Sequence, residues 1–242
     1  MYDLAKLCKR IAMPGAVTDI LLSGPRDDAL GFLTLRAHLQ AACDAWTQYQ
    51  ALGIPEEIYL DTMACFSRFV WEHRASFGHY GFDRGFWTTR QTGCVLFRIG
   101  TLEYELLQTG GQRCVSLHIP SDADLSLPRL RQSLQRARAL IEGAFPDYRS
   151  VPWGCESWLL SPELKQLLPE NSRILAFQAG FCITPVPDDG ECRQWVYGRQ
   201  DIPYEELPEG TTLQRRLKAF LLAGNAFHAG RGLLNEEPYP LR

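Results

Sequence analysis

Apolar residues recur every three to four positions through about the first 80 residues, which reads as wholly helical. Asp3 to Met13 has the pattern of a short amphipathic helix, broken at Pro14-Gly15. Ser23-Gly-Pro-Arg-Asp27 supplies a stop and a cap. Asp28 to Ala51 then follows as one long helix or two, with Leu30, Leu33, Leu35, Leu39, Ala42 and Trp46 on its apolar stripe. Ile54-Pro-Glu-Glu-Ile58 opens the next helix with proline at its start and two carboxylates in the first turn, where the helix dipole favours them. Its stripe is Ile58, Thr62, Phe66, Phe69 and His73, with Asp61 and Cys65 beside it.

The stretch Phe77 to Trp87 alternates glycines with aromatics and is too aromatic to be a loose linker, so the domain boundary is placed there: a helical part over 1–84 and a second part over 85–242. From Thr88 the pattern turns to strands. Cys94 to Gly100 and Thr101 to Gln108 read as a hairpin, Gly110-Gly111 as a turn, and Val115 to Ile119 as a third strand. A helix from Leu127 to Ala144 follows, with Leu130, Leu134, Ala137, Leu140 and Ile141 on one face. Cys155 to Leu160 reads as a strand, and Ser161-Pro-Glu-Leu164 as a short helix with Ser161 at its cap. Ser172 to Pro185 and Cys192 to Tyr197 read as two strands, Thr211 to Ala223 as a helix, and Gly230 to Leu234 as a short edge strand.

Composition narrows the class. The 242 residues are 45% hydrophobic and 11% aromatic, ordinary for a globular protein and unlike a disordered one. A net charge of −3 gives no electrostatic footprint for nucleic acid or an anionic membrane. No segment approaches the roughly 18–20 apolar residues of a membrane span, and the charged N-terminus is no signal peptide, so the chain reads as cytoplasmic. Eight cysteines are scattered without a Cys-x-x-Cys pair, as reduced structural thiols are, and no metal site is expected.

Several stretches resemble a bacterial family of N-acyltransferases that joins a helical N-terminal domain to a GNAT-like C-terminal domain. They are Pro55-Glu-Glu-Ile-Tyr-Leu-Asp-Thr-Met63, Tyr80-Gly-Phe-Asp-Arg-Gly-Phe-Trp87, Leu96-Phe-Arg-Ile-Gly-Thr-Leu-Glu-Tyr-Glu-Leu106, Leu117-His-Ile-Pro-Ser-Asp-Ala-Asp-Leu-Ser126 and Ser157-Trp-Leu-Leu-Ser-Pro-Glu-Leu164. The resemblance implies an α+β (α/β) fold with a mixed sheet flanked by helices, and an acyl-CoA-dependent transfer to a small amine. It also implies that CoA meets the chain where the third strand of this part runs into the Leu127 helix.

The residues at that junction argue against a phosphate cradle. Pro120, Ser121, Asp122, Asp124, Ser126 and Pro128 stand where backbone donors are wanted: the prolines remove N–H groups and the acids oppose an anion. Asp124 or Ser126 is expected to cap the helix with its own oxygen, leaving Ser121 and Asp122 as ligand candidates. By strand alternation His118, Glu103 and Glu105 converge on one polar surface with Arg98 nearby, so His118 or Glu103 is the candidate base for an incoming amine. Asp61, His73, Asp83, Trp87 and Gln91 are expected where the two parts meet, and Glu156 or Trp158 at the edge of the same cleft. A second reading of the same residues is a binding domain without CoA chemistry that holds a polar small molecule in that cleft. Oligomeric state is not legible.

Overall fold

In the computed structural model, which describes residues 2–188 and 190–240, the helical stripes become walls of one core running from Tyr2 to Tyr239. The N-terminal part holds α1 (Leu4–Arg10), α2 (Gly15–Ser23), α3 (Phe32–Ala51), α4 (Glu56–Met63), α5 (Cys65–Phe77) and α6 (Gly85–Thr92). Asp3 starts α1 by accepting a hydrogen bond from Lys6 N at 2.7 Å. The long third helix begins at Phe32, not Asp28. Its Gly31 has φ 73°, and a Cβ there would lie 1.8 Å from Phe82 O. The expected 54–73 helix is two, broken at Ala64, while its stripe is buried at Ile58, Thr62, Phe66 and Phe69. Strand structure starts only at Leu96, because α6 occupies the preceding turns and Tyr49 OH donates to Gln91 O at 2.8 Å.

The described residues then build a six-stranded mixed sheet in the order β1-β2-β3-β4-β6-β5. The strands are β1 (Leu96–Ile99), β2 (Leu102–Thr109), β3 (Gln112–His118), β4 (Trp153–Ser157), β5 (Phe181–Pro187) and β6 (His228–Leu234). Gly100 (φ 68°) makes the β1–β2 turn, and Gly110 and Gly111 (φ 58° and 82°) the next. The crossover helix α7 (Leu127–Ala144) buries Leu130, Leu134, Ala137 and Ile141 against the back of the sheet, where Tyr104 OH and Ser133 Oγ lie 2.8 Å apart.

From β4 onward the chain departs from the expected pattern in five places. β4 ends at Ser157, whose hydroxyl accepts from Leu159 N at 3.1 Å and coils Trp158–Leu160 into a 3-10 turn. Ser161 does not cap the next helix, α8 (Leu164–Leu167); its hydroxyl donates to Glu163 Oε2 at 2.7 Å. Ser172 instead caps α9 (Arg173–Gln178), accepting from Ile174 N at 3.2 Å, so the strand begins at Phe181. Cys192–Tyr197 lies within α10 (Glu191–Tyr197), started by Asp188, which accepts from Gly190 N and Cys192 N at 3.2 and 3.3 Å. After α11 (Thr212–Leu222), β6 is interior, pairing β4 on one side and β5 on the other.

Cys8, Cys43, Cys65, Cys94, Cys155 and Cys192 are free and buried, and burial pushes the Cys8, Cys43 and Cys94 thiols up to about 11. No described helix is long and apolar enough to cross a membrane.

Interior placement of β6 demands glycine. A Cβ at Gly230 would sit 2.2 Å from Leu160 O, a backbone atom that cannot rotate away. Gly230→Ala is therefore expected to destabilise the fold by about 1–3 kcal/mol, as overpacking does. The loss would be read as a lower urea midpoint at unchanged slope.

Candidate active site

The sheet opens between its two parallel strands. β3 and β4 align only at Val115↔Trp153 and Ser116↔Gly154, yet β3 runs on to His118 and β4 to Ser157. Beyond those pairs the facing backbone edges have no ladder partner among the described residues, which leaves polar groups for something else to satisfy.

The loop leaving β3 leads into α7, and its start differs from the self-capped helix expected. Ser126 is the N-cap residue, but its hydroxyl makes no capping bond. Asp124 accepts from Ser126 N at 2.9 Å and pairs with Arg173 at 3.1 Å. No hydrogen bond among the described residues reaches the amides of Leu127 and Arg129. Asp122 is drawn away to Arg98 at 2.6 Å, with Arg68 3.6 Å off. The loop acids are thus neutralised by arginines from other elements, and the helix start at the end of this loop keeps open donors.

The front face of β2 and β3 is polar, as alternation predicts. His118 Nε2 lies 2.8 Å from Glu105 Oε2, and Arg90 Nε donates to Glu105 Oε1 at 2.9 Å. Burial opposes the charge on Glu105, but the His118 hydrogen bond and the charges of His118 and Arg90 outweigh it and hold the carboxyl below its ordinary value. The Trp87 ring stands edge-on to His118 at 4.9 Å and 89°, with the Arg90 guanidinium 4.3 Å from its centre. Buried Gln91 holds that indole: with its amide oxygen toward the ring nitrogen it accepts from Trp87 Nε1 at 3.2 Å. Glu103, 3% exposed, accepts from Arg68 Nη2 at 2.7 Å, so it is committed to an ion pair, whereas His118 Nδ1 has no hydrogen bond among the described residues.

Above this face α5 contributes a second layer. Ser121 Oγ donates to Glu72 at 2.5 Å, and Arg68 and Arg84 flank Glu72 at 3.6 and 3.8 Å. Arg68 Nε and Glu72 Oε2 are buried and have no hydrogen bond among the described residues. Arg68, Glu72, Arg84 and Arg90 escape a sequence reading. Arg68 and Glu72 are four apart on a helix, which looks like a solvated surface pair, and only the docking of α5 and α6 on the sheet buries them.

Other candidates fall elsewhere. His73 and Asp83 line a separate cavity of about 330 Å³ with Asp28, Thr34, Phe82 and Gly85. His73 is tied by Nδ1 to His79 O at 3.0 Å. Asp61 is half-buried on α4; burial first, then Glu57, raises its carboxyl. Glu156 pairs with Arg231 at 2.7 Å on the exposed front of β4 and β6. Trp158 turns away to pack on a second apolar cluster with Leu164, Leu217 and Leu221.

Comparison with known proteins gives this architecture a family. Residues 96–234 match the model described as a GNAT-like C-terminal domain, and residues 19–94 the model described as an N-acyltransferase N-terminal domain. The chain belongs to the N-acyltransferase family that joins these two domains. Among solved structures it is similar to an acyltransferase in complex with decanoyl-CoA and teicoplanin, with 23% identity over 94% of this chain and 86% of that chain, and a TM-score of 0.83. It is likewise similar to an acyltransferase in complex with CoA and 10C-teicoplanin, with 22% identity over 99% of this chain and 88% of that chain, and a TM-score of 0.84. A search among curated proteins finds no match.

In this N-acyltransferase-family chain the front-face charges make two predictions. Arg68→Met leaves Glu103 buried without its partner and should cost about 3–5 kcal/mol in urea unfolding, while Arg68→Met with Glu103→Leu should recover most of that loss. The depressed Glu105 carboxyl stabilises the fold above its unfolded value, about 4.5, and that contribution is lost as pH falls through the lower folded value. Glu105→Gln should therefore be less stable than the parent by about 1.5–3 kcal/mol at neutral pH. The difference should shrink when the melts are repeated in acid.

Proposed function

We propose that this chain transfers an acyl group from acyl-CoA to the amine of a polar small molecule, at the opening between β3 and β4. The observation that carries the reading is the interrupted ladder: two parallel strands part after Ser116↔Gly154, and the loop leaving β3 runs on into the uncapped start of α7. An extended amide arm can lie along the unpaired strand edges as an added strand would. A diphosphate suits the amides of Leu127 and Arg129 at a helix N-terminus, with Arg173 holding the Asp124 charge in check. The complexes of similar acyltransferases with decanoyl-CoA, octanoyl-CoA and CoA support the same choice of donor.

Bound acyl-CoA supplies a thioester carbon open to attack by an amine. The residues of this chain would do the rest from the front face. Glu105 fixes His118 with Nε2 toward the carboxylate, which leaves Nδ1 to accept the proton of the incoming amine. Trp87, itself held by Gln91, keeps the imidazole from turning. Glu103 serves this site through Arg68 and is not the base. Arg68, Glu72, Arg84, Ser121 and Asp122 form a charged and polar rim beside this face that suits a polar acceptor.

Binding of the donor is the direct test. A ligand at ~100 times its Kd adds roughly 2.7 kcal/mol, which for a chain of this length raises Tm by about 5–10 °C. CoA, acetyl-CoA and decanoyl-CoA are expected to produce such a rise in a melting experiment. No rise with any of them at millimolar concentration would refute the proposal.

A further inference from the structure

Behind the sheet, one flank of α7 and the segment 237–240 enclose a cavity of about 300 Å³. On the helix side its wall is Arg131, Leu134, Gln135 and Arg138, which recur at three- and four-residue spacing and so form one stripe beside the buried face. The segment that crosses this stripe is firmly held. Arg131 Nε and Nη2 donate to Tyr239 O and Pro240 O at 2.6 and 3.0 Å, and Tyr239 OH donates to Phe177 O at 2.9 Å. Pro238 and Pro240 also fix their own backbone φ. The walls are therefore in place without a ligand.

Two charges in this cavity go unanswered. Arg138 is half-buried, and its guanidinium stacks 5.0 Å from the centre of the Trp153 ring. A ring face accommodates the cation but not its in-plane N–H groups, which need acceptors. Among the described residues no hydrogen bond or ion pair engages Arg138, and none engages Glu237. The two line one cavity without pairing with each other, while Arg131 is committed to carbonyl oxygens. The rest of the wall is apolar, with Leu134 and Tyr239 at 5% and 7% exposure and Pro238 beside them.

We infer that this cavity binds a zwitterionic amino compound with an apolar side chain, of the size and chemistry of a free hydrophobic amino acid. Its carboxylate takes the in-plane N–H groups of Arg138, a fork that matches two oxygens. Its ammonium group pairs with Glu237, and its side chain lies on Leu134, Pro238 and Tyr239. A simple anion is opposed by Glu237 and a simple amine by the two arginines, so only a molecule carrying both charges meets every group present. The volume is at the lower end for small-molecule sites, which suits one amino acid. The inference stands apart from the acyl-CoA reading, because α7 packs on the back of the sheet and His118 lies on the front.

Trp153, stacked under Arg138, supplies the reporter. Protein labelled with 15N has six tryptophan indole signals, and Trp153→Phe and Trp87→Phe assign the two that matter. L-Leucine is expected to move the Trp153 signal along a saturating curve in the millimolar range or below. Leucinamide, which lacks the carboxylate, and N-acetyl-leucine, which lacks the ammonium charge, are expected to leave it in place at the same concentrations. Glu237→Gln, a change at an exposed position, should weaken L-leucine binding about tenfold or more. The inference is overturned if L-leucine gives no saturating shift, if either analogue moves the signal equally, or if Glu237→Gln binds like the parent. A shift at Trp87 with none at Trp153 overturns it too, since the amino acid then sits on the front face.

Discussion

Two carboxylates on one interior strand, β2, set the terms for this molecule. Glu103 and Glu105 point from β2 into a surface that folding removes from water, at 3% and 8% exposure. A buried carboxylate without a partner is costly enough to unfold a domain of ordinary stability. Their partners come from the helical part: Arg68 on α5 reaches Glu103, and Arg90 on α6 reaches Glu105. The helices and the sheet are therefore joined by a charge requirement as well as by the shared apolar core. The docking that meets this requirement also presses Trp87 against His118 and lowers Ser121 onto Glu72.

The same economy appears at the loop after β3. Its acids would repel an anion if they stood alone, but Asp122 is held by Arg98 and Asp124 by Arg173. Those pairs draw the negative charge sideways and leave the first turn of α7 with donors to spare. A loop that looks hostile to phosphate as a string of residues becomes tolerant of it once distant arginines are in place. Backbone amides supply what glycine-rich loops supply elsewhere, because only the N–H groups of Leu127 and Arg129 need to be free.

Legibility followed sequence distance. The hairpin turns at Gly100 and Gly110-Gly111, the helix Leu127–Ala144 and the common face of His118, Glu103 and Glu105 depend on periodicity within one or two elements, and all are where the chain's pattern puts them. Cys192–Tyr197 is a helix although its short apolar run fits a strand as well, and the deciding feature is the Asp188 carboxylate capping its start. β6 is an interior strand where its short run suggests an edge, because nothing local says that it pairs on both sides or that Gly230 lies against Leu160 O.

By itself the sequence determined the change from helical to strand periodicity and the polar face that carries the candidate base, since each follows from side-chain spacing along the chain, while the mixed sheet was implied by the family resemblance. Tertiary structure alone decided where the sheet parts, which arginine answers which carboxylate, that Ser126 leaves its helix uncapped, and that His228 meets Glu163 across 65 residues. Those outcomes depend on contacts between elements far apart in the chain. There, the burial of charge and the pairing of backbone edges are settled by packing, and no local pattern records them.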